Sequence, residues 1–276
     1  MSTLFMRFPK GRKKALTLSY DDAVIQDVRL IEIMQKNGLK GTFNLNSGLF
    51  AKEGTSTRRM TKEQALQTFT HSGMEIAAHG LTHPALANLL PAQCSYEVIR
   101  DRENLEGLFH DVIRGLAYPD GSYSDEVVEC LKNAGIVYAR TTISSGTFRV
   151  PTDWLRLEPT CRHRELRLMT LAKEFIEQEV TRDPWLFYLW GHSYEFDDDD
   201  NWNVIEEFAG YTGRREDIWY ATNIEIYEYV EAYHRLVISV DGCIVKNPTN
   251  FELYFERNGK IHCIKPGEIL KLEQFI

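Results

Sequence analysis

Strand-like and helix-like segments alternate at short intervals along most of this chain, and that alternation constrains its fold more than any other feature. Parallel strands need a crossover between them, and a helix is the usual one. Residues 15–19 read as a first strand and 27–37 as a helix stopped by Gly38, in which Val28, Ile31 and Met34 repeat at helical spacing and Leu30 widens the stripe. Residues 41–46 read as a second strand. Thr61 and Gln64 form a capping-box signal for a helix that Gly73 closes, and 74–78 read as a third strand. The pattern continues with a helix over 92–109, a strand over 113–118, a helix over 125–134 and a strand over 136–141. A helix near 165–180 and the apolar strand 185–190 follow. From about Leu236 the runs become short and alternating, with hairpin signals at Asp241-Gly242 and Asn258-Gly259. The expectation is an α/β barrel unit over 1–235 and a small β-hairpin appendage over 236–276 packed on it.

With 276 residues, 43% of them hydrophobic, the chain can bury a barrel-sized core. No run approaches the roughly 18 to 20 apolar residues of a membrane helix. The formal net charge of -8 argues against nucleic acid and anionic membrane as partners, since both need basic patches. The one basic run, Lys10 with Arg12, Lys13 and Lys14, reads as a solvated approach to the first strand. Five cysteines, scattered and without CxxC spacing, suit a reduced compartment. With no apolar leader in the first residues, a cytoplasmic location is expected.

The chemistry gathers at strand ends. Asp21 and Asp22 close the first strand, and adjacent carboxylates raise each other's pKa unless a cation intervenes. His79 and His83, four apart at the end of the third strand, supply further ligands. Gly80 and Pro84 flank them, and a single helical turn is expected to bring both rings to one face. Two imidazoles and one carboxylate suit Zn, Co, Ni, Mn or Fe with positions left for water and substrate, and the second Asp is then free to act as a base. His192, after an apolar strand and a glycine, titrates in the range a general acid needs. Active sites of barrels and open α/β folds lie at such C-terminal strand ends. A non-haem iron oxygenase also uses two His and one carboxylate, but its usual ligand order differs from this one. The acidic run Glu195 to Asp200 lacks the spacing and glycine of an EF-hand and reads as a solvated loop.

In order, Thr17-Leu-Ser-Tyr20-Asp21-Asp22-Ala23, His79-x-x-x-His83-Pro84, Leu116-Ala-Tyr118-Pro119-Asp-Gly121 and Tyr188-Leu-Trp190-Gly-His192 resemble the four blocks of the polysaccharide deacetylase family. This is the NodB-homology fold of the family 4 carbohydrate esterases, and the third block resembles its Ala-Tyr-Pro branch. The resemblance covers roughly 14–235. It implies a distorted (β/α) barrel and a metal-dependent hydrolase that removes acetyl groups from an acetylated saccharide. It also implies a divalent metal, zinc first among the candidates, held by Asp22, His79 and His83. Asp21 would be the base and His192 the acid. The backbone N–H of Asp120, after Tyr118-Pro119, would help hold the oxyanion, and Trp190, Tyr194 and Trp202 could stack on sugar rings. Ala117 departs from the pattern: many relatives carry there an arginine that pairs with the base. Arg140 is a candidate replacement, with Arg162 and His163 weaker ones. The fourth block, usually Asp-x-x-Asp-Trp, is echoed only by Asp153-Trp154, so Glu195 or Asp197 is a candidate for tuning His192. Hydrolysis of another non-peptide C–N amide, and a lapsed site that only binds sugar, are the alternatives.

Overall fold

Lys14–Asp21 is buried along its whole length, as a central strand covered on both faces must be. The computed structural model describes residues 4–55 and 57–273. Its elements run β1 Phe5–Arg7, β2 Lys14–Asp21, α1 Asp27–Lys36, β3 Gly41–Leu45, α2 Lys62–Phe69, β4 Glu75–Ala78, α3 Pro91–Phe109, β5 Gly115–Ala117, α4 Asp125–Asn133, β6 Tyr138–Arg140 and β7 Cys161–Arg162. They continue with α5 Leu168–Glu177, β8 Trp185–Gly191, α6 Glu195–Asp198, α7 Trp202–Thr212, β9 Ile218–Tyr220 and α8 Asn223–His234. Strands β2 to β9 form one parallel sheet in the order β6-β5-β4-β3-β2-β8-β7, with β9 also on β2. β8 pairs with β2 from Lys14 to Tyr20, so β9 (at Lys14 to Leu16) and β3 (from Leu18) share the opposite edge in tandem. Leu157 hydrogen-bonds to β6 through Ala139 and Thr141, and three residues later the Thr160 N–H reaches the Tyr188 carbonyl of β8. That segment joins the outer strands, and the sheet curls into a distorted (β/α) barrel.

Leu16, Leu18, Phe43 and Leu116 sit in the main hydrophobic core with the inner faces of the helices. Each such side chain stabilises the fold by about 1.5–3 kcal/mol on burial. Inside the lower half of the barrel a polar cluster replaces apolar packing. Tyr138 and Thr42 donate to the Glu75 carboxylate at 2.6 and 2.7 Å, and the Ile224 N–H adds a third bond at 2.9 Å.

The α1 stripe is Leu30, Ile31 and Met34, whereas Val28 faces solvent, 44% exposed. Lys14 is buried, not solvated: its Nζ donates to the Ile176 and Gln178 carbonyls at the end of α5. Glu195 to Asp198 form a short helix rather than a loop, and Glu195 is buried.

At the C-terminal end, β10 Val237–Ile238, β11 Ile244–Lys246 and β14 Ile269–Lys271 make one antiparallel sheet. β12 Leu253–Arg257 and β13 Lys260–Ile264 form a hairpin turning at Asn258-Gly259, where both φ are positive (51 and 75), as a type I′ turn requires. The free edge of β12 takes β1, and Arg7 and Lys13 pair with Glu256 on it. No helix among the described residues is long and apolar enough to cross a membrane.

Candidate active site

β2 delivers Asp21 to the C-terminal rim of the barrel, and Asp22 and Ala23 turn the chain away with φ of 89 and 52. β4 delivers His79. Its Nδ1 lies 2.8 Å from the Ala117 carbonyl of β5, which can only accept, so Nδ1 carries the proton and Nε2 keeps its lone pair. His79 Nε2 is buried and has no partner. One ligand atom each from Asp22, His79 and His83 lie within 4.8 Å of one another. An unprotonated, orphaned imidazole nitrogen facing a carboxylate and a second imidazole fits a divalent cation.

His83 does not reach this position by a helical turn. Residues 80–83 run through bends, with Gly80 at φ 76 and His83 at φ 57. The following Pro84 disfavours right-handed helix at His83, and only the next turn, Leu86–Asn88, is helical. The two rings meet edge to face, centroids 4.7 Å apart.

Asp21 is the hub of the charges. Arg140 Nη2 is 2.5 Å from its Oδ2, with both side chains about fully buried (1% and 2% exposed). Asn44 donates to Oδ1 at 2.8 Å, and the Nε2 atoms of His79 and His192 stand 3.9 and 3.7 Å from Oδ2. Burial pushes the Asp21 carboxyl up, yet Arg140, His79, His192 and Asn44 together hold it below its usual value. His192 behaves oppositely: burial pulls it down, and Glu195, Asp21 and Asp22 raise it above the ordinary histidine value.

Glu195 sits behind His192, with Oε1 3.5 Å from Nδ1, an ion-pair distance and not a hydrogen bond. Arg162 and Arg164 also face Oε1, and His163 Nε2 lies 3.0 Å from Oε2. Burial would raise this carboxyl, but His163 and His192 hold it well below the usual carboxylate range. Asp197 is turned elsewhere, accepting from Gln26 and the Trp202 indole at 2.7 Å each. The Trp190 ring lies under both guanidiniums, 4.4 Å from Arg140 and 5.2 Å from Arg162.

The site opens into a cavity of about 520 Å³ lined by Asp22, His83, Asp120, Trp190, His192 and Tyr194, with Thr142 and Ser144 on its far wall. Tyr118 contributes its ring only, because its hydroxyl donates to the Leu155 carbonyl at 2.7 Å. Pro119 and Asp120 form a tight turn closed by the N–H groups of Gly121 and Ser122. Trp202 is buried at the start of α7 and does not line the cavity.

Sequence reasoning overlooked four residues here. Arg59 hydrogen-bonds Asp22, Asn44 holds Asp21, and Asn46 donates to the His79 and Gly80 carbonyls. Asp101 accepts from the Ser47 and His79 N–H groups at 2.7 and 3.0 Å, and burial raises its carboxyl to about 6. A signal existed for three of them. Asn44 sits within β3 and Asn46 directly after it on the side of Thr42, and Asp101 falls on the Cys94, Val98, Leu105 stripe of α3.

The sequence model of the polysaccharide deacetylase family matches residues 9–139. This region belongs to the polysaccharide deacetylase family. YxkH of Bacillus subtilis, named for that family, is 23% identical over 142 residues, 51% of this chain and 49% of its own. The chain thus spans about half the length of the curated relative it matches. A structure from Mycobacterium smegmatis, named for the same family, is similar over 85% of this chain and 96% of its own, with TM-score 0.60 and 16% identity. A family 4 carbohydrate esterase from Streptomyces lividans, in complex with acetate, is similar over 75% and 92%, with TM-score 0.50 and 14% identity. At these identities the likeness shows the fold, the distorted (β/α) barrel.

Proposed function

We propose that the chain is a metal-dependent hydrolase that removes acetyl groups from a carbohydrate. The observation that carries this reading is the orphaned His79 Nε2, aimed at Asp22 and His83 beside a carboxylate already paired to Arg140. Asp22, His79 and His83 would hold a divalent cation, zinc by preference for this donor set. Such an ion lowers the pKa of a water to about 7 and polarises a carbonyl.

The protein's own residues supply the rest. Asp21, ionised at neutral pH because of Arg140, takes the proton of the attacking water on Oδ2. His192, 3.7 Å from that oxygen and raised above its ordinary value by Glu195, Asp21 and Asp22, gives a proton to the departing nitrogen or oxygen. Glu195 orients the imidazole and favours its charged form. The Asp120 N–H, beside a turn closed by the N–H groups of Gly121 and Ser122, would bind the oxyanion, while Trp190 and Tyr194 would give the cavity aromatic walls for a sugar ring.

Acetate release tests this. Protein stripped of metal and reloaded with Zn, Co, Mn or Ni is assayed on N- and O-acetylated saccharides, with Asp21→Asn beside it. Metal-dependent release is expected, and Asp21→Asn should lower turnover by about 10² to 10⁴ while metal binding persists. Hydrolysis confined to non-carbohydrate amides would replace the substrate class. Stoichiometric metal with no turnover on any substrate would leave a binding-only site.

A further inference from the structure

The turn that presents Asp22 is strained, and the structure shows what holds it. Asp22 and Ala23 are consecutive side-chain-bearing residues with left-handed φ, a conformation that persists only where its surroundings over-determine it. The segment from Arg58 to Met60 supplies that constraint. Ile25 N–H donates to the Arg58 carbonyl at 2.9 Å and Met60 N–H to the Ala23 carbonyl at 2.8 Å. Between them Arg59 makes three bonds with one guanidinium. Its Nη1 donates to the Asp22 carbonyl at 2.7 Å and to Asn46 Oδ1 at 2.8 Å, and its Nη2 to Asp22 Oδ1 at 3.0 Å. Asn46 passes the link on, donating Nδ2 to the His79 and Gly80 carbonyls. Two strand ends that lie far apart in sequence, those of β2 and β4, are thereby tied through one arginine and one amide.

We infer that Arg59 is the positioning residue of the metal site. It occupies one oxygen of Asp22, leaving the other for a cation, and through Asn46 sets the separation of Asp22 from His79. The inference rests on the proposed metal site. It also makes a prediction of definite sign. As a bare charge beside a cation, Arg59 would weaken metal binding, and its removal would tighten it. As an orienting group it strengthens binding, and its removal loosens it. Loss of such an outer partner typically costs about 10- to 100-fold in metal affinity.

The test is calorimetric titration of the metal-free protein with zinc alone, for wild type, Arg59→Gln, Arg59→Lys, Asn46→Ala and His79→Ala, with thermal unfolding of each metal-free form. Arg59→Gln is expected to raise the zinc Kd about 10- to 100-fold. Arg59→Lys, which keeps the charge but not the fork, should also raise it, and Asn46→Ala should shift it in the same direction. The zinc-induced rise in unfolding temperature should shrink in step with the Kd. A zinc Kd unchanged or lowered in folded Arg59→Gln overturns the inference. Should that variant not fold, an unchanged Kd in Arg59→Lys overturns it equally. A wild type that binds no zinc overturns the metal reading and this inference together. Binding that His79→Ala abolishes but the Arg59 variants leave intact overturns this inference alone.

Discussion

Replacing Arg140 with methionine isolates the charge that holds Asp21. Arg140 Nη2 and Asp21 Oδ2 are 2.5 Å apart in an interior from which water is nearly excluded. Methionine keeps most of the side-chain volume and removes the cation together with its stacking on the Trp190 ring. A buried carboxylate left without its partner costs about 3–5 kcal/mol. For a chain of this length 1 kcal/mol corresponds to about 2 °C in Tm, so Arg140→Met should lower Tm by about 6–10 °C near neutral pH. Adding Asp21→Asn removes the orphaned charge but keeps an acceptor for the Asn44 amide, which now donates at 2.8 Å. The double variant should return to within about 1 kcal/mol of wild type, because exchanging a whole buried pair is far less costly than breaking it.

Wild type and Arg140→Met depend on pH with opposite signs. In wild type the Asp21 carboxyl is held below its usual value, so its contribution is present above the unfolded pKa and fades as pH falls. In Arg140→Met burial is no longer opposed by the guanidinium and the carboxyl titrates above the unfolded value. Its penalty then grows as pH rises. Urea unfolding of the three proteins, at about pH 4.5 and about pH 7.5, bracketing the titration of an unpaired carboxyl, would show both signs. An Arg140→Met protein within about 1 kcal/mol of wild type near neutrality, or a double variant no more stable than the single, refutes the reasoning.

Two further outcomes follow from the barrel interior. Burial raises the Glu75 carboxyl to about 7 against its Tyr138, Ile224 and Thr42 hydrogen bonds, so the folded state holds a proton that the unfolded chain gives up near pH 4.3. Stability should therefore fall as pH rises between those values, by an upper bound of about 4 kcal/mol, and Glu75→Gln should flatten that slope in urea unfolding. Identical slopes for the two proteins would count against it. At Gly191 an added Cβ would stand 2.1 Å from His163 Nδ1. Gly191→Ala should cost about 1–3 kcal/mol, read as a drop in Tm, and His163→Ala in the same chain should recover part of it.

Much of the barrel was legible because its signals are local. The apolar strands, the capping box at Thr61 and the hairpin at Asn258-Gly259 each depend on neighbouring residues, and each formed. The strand ends carried Asp21, His79 and His192 to one cavity, as strand polarity in a parallel barrel requires. Arg59 was invisible for the opposite reason: an exposed-looking basic residue in a connecting segment acquires its meaning only when that segment lies against the β2 turn. Asp101 was visible as an anomaly, a carboxylate on the apolar face of α3, and such residues are buried only when bonded. The path of 79–83 was misjudged because Gly80 and Pro84 were read as the flanks of a helical turn, whereas a residue before proline is biased away from right-handed helix.

Ala117 shows why a site can keep its electrostatics while losing a residue the family resemblance leads one to expect. Position 117 performs two tasks of different kinds. Its carbonyl fixes the His79 tautomer, and any residue supplies a carbonyl. A side-chain cation for Asp21 is the other task, and alanine cannot supply it. Arg140 is the register partner of Ala117 on the adjacent strand, and in a parallel sheet such partners point to the same face about 4.8 Å apart. The long stem of an arginine spans that offset, so the guanidinium meets Asp21 from one strand further along. A similar relocation supplies His192, whose partner Glu195 stands three residues beyond it and is fixed in turn by Arg162 of β7 and His163 just after it. What is constrained in this site is the location of each charge, and the rim of a parallel barrel offers more than one strand from which to deliver it.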